Sequence, residues 1–230
     1  MELRLFCADV TELEDPELFR RLYRAVSASR RAKVDRIRSE AGRLQSLGAG
    51  ALLEASLAEL GVAAPQPEED AYGKPFLPGC ERLCFNVSHS GTQVLCALSD
   101  RDVGCDVERI HTARLRLAAR CFCPEEYEAL LACDDETARD ALFYRIWTLK
   151  ESFVKAVGRG LSLPMNAFCI LPGEAGIELR QSVDTRRYEL RAFCAEGYQY
   201  AFCSVERSLD GVWLEARSLR ALAELLPERE

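Results

Sequence analysis

The sequence predicts an α+β protein with two similar halves, each carrying one long helix and several short strands. Two runs with helical spacing predict the long helices, one rich in Ala and Leu over residues 39–60 and one over residues 136–157. Short segments in which apolar and polar residues alternate predict the strands around each helix. No internal repeat is visible, so the two halves, and the cleft we expect between them, rest on the order of the elements.

The first half is predicted to combine strands and helices. Asp15 and Pro16 are typical of an N-cap and a first helical residue, and they predict where the first helix begins. The predicted elements are a strand over residues 3–10, a helix over 16–27, the long helix over 39–60, a proline-rich loop over 63–79, a strand over 83–88, a turn over 88–91 and a strand over 92–99.

The second half is predicted to open with a strand over residues 103–108. Its long helix is expected to end at Gly158, because glycine readily adopts the left-handed conformation that closes many helices. The remaining predicted elements are a helix over residues 125–133, strands over 168–171, 188–193, 198–206 and 212–214, and a terminal helix over 219–226.

The composition restricts the classes of partner and the compartment. The chain has 230 residues, 48% of them hydrophobic and 29% charged, and a formal net charge of −7. An acidic balance argues against nucleic acid as a partner, so an anionic ligand would need a local basic pocket. The N-terminus lacks a signal-peptide pattern, and no apolar run approaches the ~20 residues of a membrane span. We therefore expect a cytoplasmic protein that contacts no membrane.

Eleven cysteines are a high number for this chain, and most of them follow an apolar neighbour. Such positions are typical of small core residues, and cytoplasmic thiols are usually reduced. A structural zinc site needs clustered ligands, whereas the one close pair here is Cys121 and Cys123. The cysteines are therefore predicted to be reduced thiols that hold no zinc.

Two carboxylates mark the strand over residues 103–108. Its period of two places Asp106 and Glu108 on one face, with Cβ atoms roughly 7 Å apart. Such a pair is tolerated on a solvated sheet edge, or where a cation lies between the two charges. The apolar neighbours Val103, Cys105 and Val107 indicate a buried strand, which favours a cation, and Mg²⁺ is commonly held by carboxylates and phosphate oxygens.

A third carboxylate lies on the long second helix. Trp147, Glu151 and Lys155 are spaced i, i+4, i+8 and therefore share one stripe of that helix. One interpretation is a surface Glu–Lys pair above a buried apolar stripe. The other places Glu151 beside Asp106 and Glu108, with Lys150 or Lys155 facing the metal. Such a site suits phosphoryl chemistry, because the metal bridges phosphate oxygens while a carboxylate accepts a proton from the nucleophile.

Basic residues and a lone Ser-His-Ser segment form a second candidate site. The run of cations over residues 30–43 is consistent with a solvated helix face, and residues 88–90 with a simple turn. Together with Lys74 and His89, the same cations could instead bind a multiply phosphorylated ligand. The sequence contains neither a Gly-x-Ser-x-Gly elbow nor a Gly-rich phosphate-binding loop, which argues against a serine hydrolase and against nucleoside triphosphate chemistry.

Three segments resemble one enzyme family. Phe-Asn-Val-Ser-His-Ser at 85–90, Val-Gly-Cys-Asp-Val-Glu at 103–108 and Trp-Thr-Leu-Lys-Glu-Ser-Phe-Val-Lys at 147–155 are similar to motifs of the 4′-phosphopantetheinyl transferases. The resemblance is to the larger, pseudo-dimeric type that activates nonribosomal peptide and polyketide synthetases. Tyr-Gly-Lys-Pro at 72–75 and the segment at 158–164 also fit. Position 105 departs from the family, which usually has an aliphatic residue there.

The resemblance implies an activity and an architecture. The enzyme would transfer the 4′-phosphopantetheine arm of coenzyme A to a serine hydroxyl of an apo acyl or peptidyl carrier protein and release 3′,5′-ADP. It would be a monomer with two halves related by a pseudo-twofold, each with a long helix on a small antiparallel sheet and a ligand cleft between them. Residues 1–102 would form the nucleotide and 3′-phosphate side, and residues 103–230 the metal side. A catalytically silent coenzyme A or carrier-protein binding module is the alternative.

The resemblance also implies residue roles. The Mg²⁺ ligands would be Asp106, Glu108 and Glu151. Glu151, or a water that it orients, would deprotonate the serine, and Lys155 would bind the pyrophosphate and stabilise its charge. The remaining coenzyme A contacts would be Arg30, Lys33, Arg43 and His89 on the 3′-phosphate, Lys74 along the adenine and Ser88 on the nucleotide phosphates.

Overall fold

The computed structural model describes residues 2–62, 65–173 and 176–229. Residues 63 and 64 of the predicted loop lie outside this part, as does the side chain of residue 161 in the segment 158–164. The described elements confirm the α+β class. No helix in the described ranges is long and apolar enough to cross a membrane.

The helices and strands follow the predicted order with several additions. The first part of the chain contains β1 (Arg4–Asp9), α1 (Pro16–Ala25), α2 (Ala28–Arg36), α3 (Glu40–Ala58), β2 (Glu68–Glu69), β3 (Pro75–Phe76), β4 (Cys84–Ser90) and β5 (Gln93–Ser99). The second contains β6 (Val103–Arg109), α4 (Leu115–Cys121), α5 (Pro124–Leu131), α6 (Glu136–Val157), β7 (Cys169–Gly173), β8 (Gly176–Arg180), β9 (Tyr188–Ala195), β10 (Tyr198–Val205), β11 (Leu214–Ala216) and α7 (Leu219–Leu225).

The chain divides into two compact units that are not continuous in sequence. Unit 1 comprises Met1–Glu68, Pro75–Asp100 and Val212–Glu230, and unit 2 comprises Glu69–Lys74 and Arg101–Gly211. The C-terminal segment groups with unit 1 because β11 pairs in parallel with β1. The two similar halves, 1–102 and 103–230, with a pseudo-twofold and a cleft between them, stay a prediction.

Unit 1 is a four-stranded sheet, in the order β11-β1-β5-β4, with α3 packed on it. The residues of α3 from Ser46 to Leu57 are all buried, which agrees with its Ala- and Leu-rich sequence. The predicted start of α1 is confirmed, since the Asp15 side chain accepts a hydrogen bond from the Glu17 amide and Pro16 is the first helical residue.

The predicted turn over residues 88–91 is wrong in its extent. Strand β4 continues to Ser90, because its antiparallel pairing with β5 runs without interruption to the pair Ser90 and Gln93. The connection is therefore only Gly91 and Thr92, and Gly91 adopts a positive φ of 55° that suits a tight turn. Ser88 and His89 consequently lie on a strand.

Unit 2 contains a three-stranded sheet, in the order β6-β10-β9, covered by α6. The Asp135 side chain caps the start of α6, and Gly158, with a φ of 79°, closes it as predicted. Strand β8, which forms a hairpin with the predicted strand β7, and the short helix α4 extend the predicted set of elements.

Candidate functional site

The site in unit 2 depends on a close approach of α6 to β6. A Cβ atom at Gly104 would overlap the carbonyl oxygen of Ser152 and would lie 2.6 Å from the amide nitrogen of Ala156. Only glycine therefore allows the backbone of the helix to lie directly on the strand at this point. This approach brings the face of α6 that carries Lys155 next to Asp106.

Asp106 and Lys155 form a direct ion pair. The Lys155 ammonium donates to Asp106 Oδ1 over 2.7 Å and to the carbonyl oxygen of Cys105 over 3.0 Å. The Asp106 side chain is 6% exposed, so its charge is almost fully removed from water. Burial is the largest single effect and lowers the pKa of Lys155, but the charge and hydrogen bond of Asp106, together with Cys105 and Glu151, outweigh it and raise the pKa of the ammonium.

Glu151 completes a group of three carboxylates. Its pKa is raised, first by burial and then by the negative charge of Asp106, with a smaller contribution from Glu108; Lys155 acts in the opposite direction. Strand β6 is buried from Val103 to Val107, so a solvated sheet edge does not describe Asp106. Asp106 is therefore close enough to Glu151 to disfavour the charged form of the Glu151 carboxylate.

The donor set fits a hard dication. Three carboxylates offer oxygen ligands, and a bound cation would relieve the repulsion that raises the pKa of Glu151. Of these side chains, Asp106 pairs directly with the Lys155 ammonium, and the charge of Glu151 also acts on it. A group of three acidic, thiol or imidazole side chains with all ligand atoms within 4.8 Å of one another does occur among the described residues. Its members are Cys123, Glu125 and Cys169, not the three carboxylates.

Lys150 is not part of this group. Its ammonium is fully buried and donates to Glu126 Oε1 over 2.6 Å and to the carbonyl oxygen of Phe168 over 2.8 Å. Of the two lysines considered from the sequence, Lys155 is thus the one beside the carboxylates. Sequence reasoning missed Glu126, although its place three residues after Cys123, in the first turn of α5, is typical of a capping residue.

Lys74 is tied to the end of α6. Its ammonium pairs with Asp102 over 2.7 Å and donates to the carbonyl oxygen of Ala156 over 3.1 Å. Its stem lies against Gly158, where an added Cβ would be 2.8 Å from Lys74 Cδ. The structure therefore gives the ammonium a role in holding α6, and a contact of Lys74 with adenine stays a prediction.

Arg30 is tied to the packing of α2 on α3. Its stem crosses Gly50, where an added Cβ would meet Arg30 Cδ at 2.5 Å. Burial lowers the pKa of Arg30, and the charge of Glu54 opposes this effect. Glu54, which sequence reasoning missed, is itself buried and accepts the Ser27 amide through both carboxylate oxygens at the start of α2.

The other predicted residues of unit 1 lie nearer to solvent. Lys33 and Arg43 are exposed, and so is His89 on β4, whereas Ser88 is buried. The Arg43 guanidinium lies 5.5 Å from the ring centroid of Phe19. Arg43 also lines a cavity of about 290 Å³ with Leu13, Glu14, Pro16, Phe19, Arg20, Glu40 and Leu44. The Lys33 and Arg43 side chains of unit 1 are thus accessible to solvent.

Two cysteines differ from the prediction of reduced thiols. Cys123, at the start of α5, and Cys169, at the start of β7, form a disulfide with a Cα–Cα distance of 5.7 Å. The other nine cysteines retain their thiols, and Cys105 is buried as a small core residue. The pairing depends on the contact of α5 with β7, which no local spacing in the sequence reveals.

Comparisons with known proteins place this geometry in context. The family described as the 4′-phosphopantetheinyl transferase superfamily matches residues 102–203, a range that includes β6, α6 and most of β10. A 4′-phosphopantetheinyl transferase of Bacillus subtilis is 32% identical over 202 residues, which cover 84% of this chain and 88% of that protein. The 4′-phosphopantetheinyl transferase Sfp of Bacillus subtilis strain 168 is 39% identical over 139 residues, covering 58% of this chain and 60% of Sfp.

Solved structures show a more distant likeness. A holo-(acyl-carrier-protein) synthase from Bacillus anthracis, solved in complex with CoA (3′,5′-ADP), is 16% identical with a TM-score of 0.41. The match covers 46% of this chain and 96% of that one.

Proposed function

The chain belongs to the 4′-phosphopantetheinyl transferase superfamily, a family of transferase enzymes, and from this premise we propose that it modifies carrier proteins. The proposed reaction moves the 4′-phosphopantetheine arm of coenzyme A to a serine hydroxyl of an apo acyl or peptidyl carrier protein. The serine oxygen forms the new bond to phosphorus, the pyrophosphate bond breaks, and 3′,5′-ADP leaves. Carriers of nonribosomal peptide and polyketide synthesis are the proposed partners, and the proposed form is a cytoplasmic monomer.

One observation carries this proposal: the buried Asp106–Lys155 pair with Glu151 in its field. Phosphoryl transfer needs charge stabilisation at the phosphate oxygens and a base for the nucleophile. A carboxylate group beside a lysine, held by a helix lying directly on a strand, supplies both with little reorganisation. A module that only bound coenzyme A would not need this arrangement.

Asp106, Glu108 and Glu151 are the proposed ligands of Mg²⁺, which when bound neutralises charge on the phosphate oxygens. Glu151, or a water that it orients, removes the proton from the serine hydroxyl. A carboxylate whose pKa is raised by burial is a better proton acceptor than an ordinary one. The Lys155 ammonium binds the pyrophosphate, and its raised pKa keeps it charged at neutral pH.

Unit 1 is proposed to bind the nucleotide of coenzyme A. Exposed cations suit a phosphate group that arrives from solvent, which supports Lys33, Arg43 and His89 as contacts to the 3′-phosphate. Arg30 and Ser88 are proposed beside them, and Lys74 along the adenine.

The proposal is tested by mass spectrometry. The protein is incubated with coenzyme A, Mg²⁺ and a panel of apo carrier proteins, and each carrier is examined for the added mass of the arm. We expect modification of at least one carrier at its serine, with 3′,5′-ADP released in equal amount. Binding of coenzyme A without transfer to any carrier, at every Mg²⁺ concentration, would favour the silent binding module instead.

A further inference from the structure

A fully buried ion pair joins α6 to α5 and lies beside the start of β7. The side chains of Lys150 and Glu126 are both 0% exposed, and their charged atoms lie 2.6 Å apart. The Lys150 ammonium also lies 4.3 Å from the ring centroid of Phe168. Neither residue has a part in the reaction proposed above.

Each charged atom of this pair has a hydrogen-bond partner. Glu126 Oε1 accepts from Lys150 and from the amide of Ile170, each over 2.6 Å, and Oε2 accepts from the amide of Cys123 over 2.8 Å. Lys150 adds the carbonyl oxygen of Phe168. A single carboxylate thus connects the start of α5, the middle of α6 and the start of β7.

Stability alone does not account for such a pair. Removing two charges from water is costly, and replacing a buried pair with apolar side chains of similar size is often neutral or stabilising. In some proteins a buried ion pair instead fixes one arrangement of the surrounding helices and strands. Here the elements that it fixes include the helix that carries the proposed catalytic groups.

The geometry points to a positioning role, which rests on the proposed transferase function. Lys150 and Glu151 are consecutive on α6, so their side chains leave the helix about 100° apart. Holding Lys150 against α5 and β7 therefore fixes the rotation of α6 that aims Glu151 at Asp106. We propose that Glu126 and Lys150 are positioning residues that set the direction of Glu151 and Lys155 without touching the substrate.

The test replaces the pair as a unit. In the double variant Glu126→Met/Lys150→Met, no charge is left buried alone, so the fold should be kept. The thermal midpoint should fall moderately, because the amides of Cys123 and Ile170 lose the carboxylate that accepts their hydrogen bonds. We expect kcat for transfer to fall about 100-fold, the order expected when a reacting group is misplaced by about 1 Å. The KM for coenzyme A should change less than kcat, because most of the groups proposed to bind the nucleotide lie in unit 1.

A second readout does not depend on turnover. Binding of Mn²⁺, used as a probe for the carboxylate group, is measured by the loss of the free-ion electron paramagnetic resonance signal. The double variant should bind Mn²⁺ about 10-fold more weakly than the unchanged protein, since Glu151 would no longer be aimed at the other ligands. The variant Leu190→Ala, which truncates a partly buried residue of β9, should leave both kcat and Mn²⁺ affinity unchanged.

Two outcomes would overturn the positioning role: native kcat with native Mn²⁺ affinity in the double variant, or equal losses in Leu190→Ala. If the double variant does not fold, Glu126→Asp is tested in its place. This variant keeps both charges and shortens the carboxylate side chain by one carbon. A Glu126→Asp protein with native kcat and Mn²⁺ affinity would then refute the proposal. If the unchanged protein modifies no carrier, the proposed function falls, whereas the Mn²⁺ comparison still decides the positioning role.

Discussion

In unit 2 the predicted site residues hold one another in place, whereas in unit 1 most of them reach towards solvent. Asp106 is paired with Lys155, and Glu151 lies in the same buried field. Lys33 and Arg43, by contrast, are exposed. The difference suggests that the charges acting on the reacting phosphate are preorganised, while those proposed for the 3′-phosphate take their final positions when the ligand binds.

The largest effect is expected from the carboxylates of unit 2. Asp106→Ala and Glu151→Ala should each reduce transfer about 1000-fold, the upper range for removing one group that stabilises transition-state charge. Transfer is measured by mass spectrometry of the carrier, and the fold is checked by circular dichroism. Asp106→Asn, which keeps the shape without the charge, separates loss of the charge from loss of packing. Near-native transfer in either alanine variant would contradict the proposed metal site.

The next effect comes from the contact of α6 with β6. Gly104→Ala places a methyl group where the backbone of α6 now lies, so the helix must shift and carry Glu151 and Lys155 with it. We expect about 100-fold slower transfer and a loss of about 1–3 kcal/mol in the free energy of unfolding, as for other overpacked sites. Gly173→Ala is the matched control, because its added Cβ would meet Gly176 at an ordinary 3.6 Å. Equal behaviour of the two variants would show that the close approach is not required.

The parts of the molecule that were predicted correctly are those with a local cause. The cap at Asp15, the end of α6 at Gly158 and the two carboxylates on β6 follow from side-chain chemistry and spacing within a few residues. The extension of β4 to Ser90 was missed, because it depends on pairing with β5.

Other features that sequence reasoning did not foresee also depend on tertiary contacts. The burial of Arg30 over Gly50, the attachment of Lys74 to Asp102 and the disulfide between Cys123 and Cys169 each join segments that are distant in sequence. A charged residue read from sequence alone does not reveal whether its partner is a ligand or another part of the same chain. That question separates Lys74 and Arg30 from Lys33 and Arg43.

Substitution of a site residue in unit 1 should change the KM for coenzyme A rather than kcat. Arg43→Ala should raise the KM for coenzyme A about 10-fold, a modest loss expected for one exposed contact to a phosphate, with little change in kcat. The same variant should show an unchanged KM for 3′-dephospho-coenzyme A, which lacks the group that Arg43 is proposed to contact. Arg36→Ala, which removes an exposed cation from the end of α2, is the control. An equal rise in KM for both substrates would remove Arg43 from the 3′-phosphate site.

The smallest effect is expected at Lys74. It tests whether this residue belongs with the side chains that are held by other parts of the chain or with those that bind the ligand. Lys74→Met should lower the free energy of unfolding at pH 7 by about 0.5–1 kcal/mol, since the pair with Asp102 is partly exposed and screened by water. Burial raises the pKa of Asp102, but Lys74 and Arg186 outweigh it, so the folded-state pKa lies below the ordinary value of 3.8. The contribution of the pair is therefore present above pH 3.8 and is lost as the pH falls through the lower folded-state pKa. Urea unfolding of both proteins at pH 7 and at successively lower pH should show the difference shrinking. A stable Lys74→Met protein with a raised KM for coenzyme A would instead place Lys74 with the ligand-binding residues.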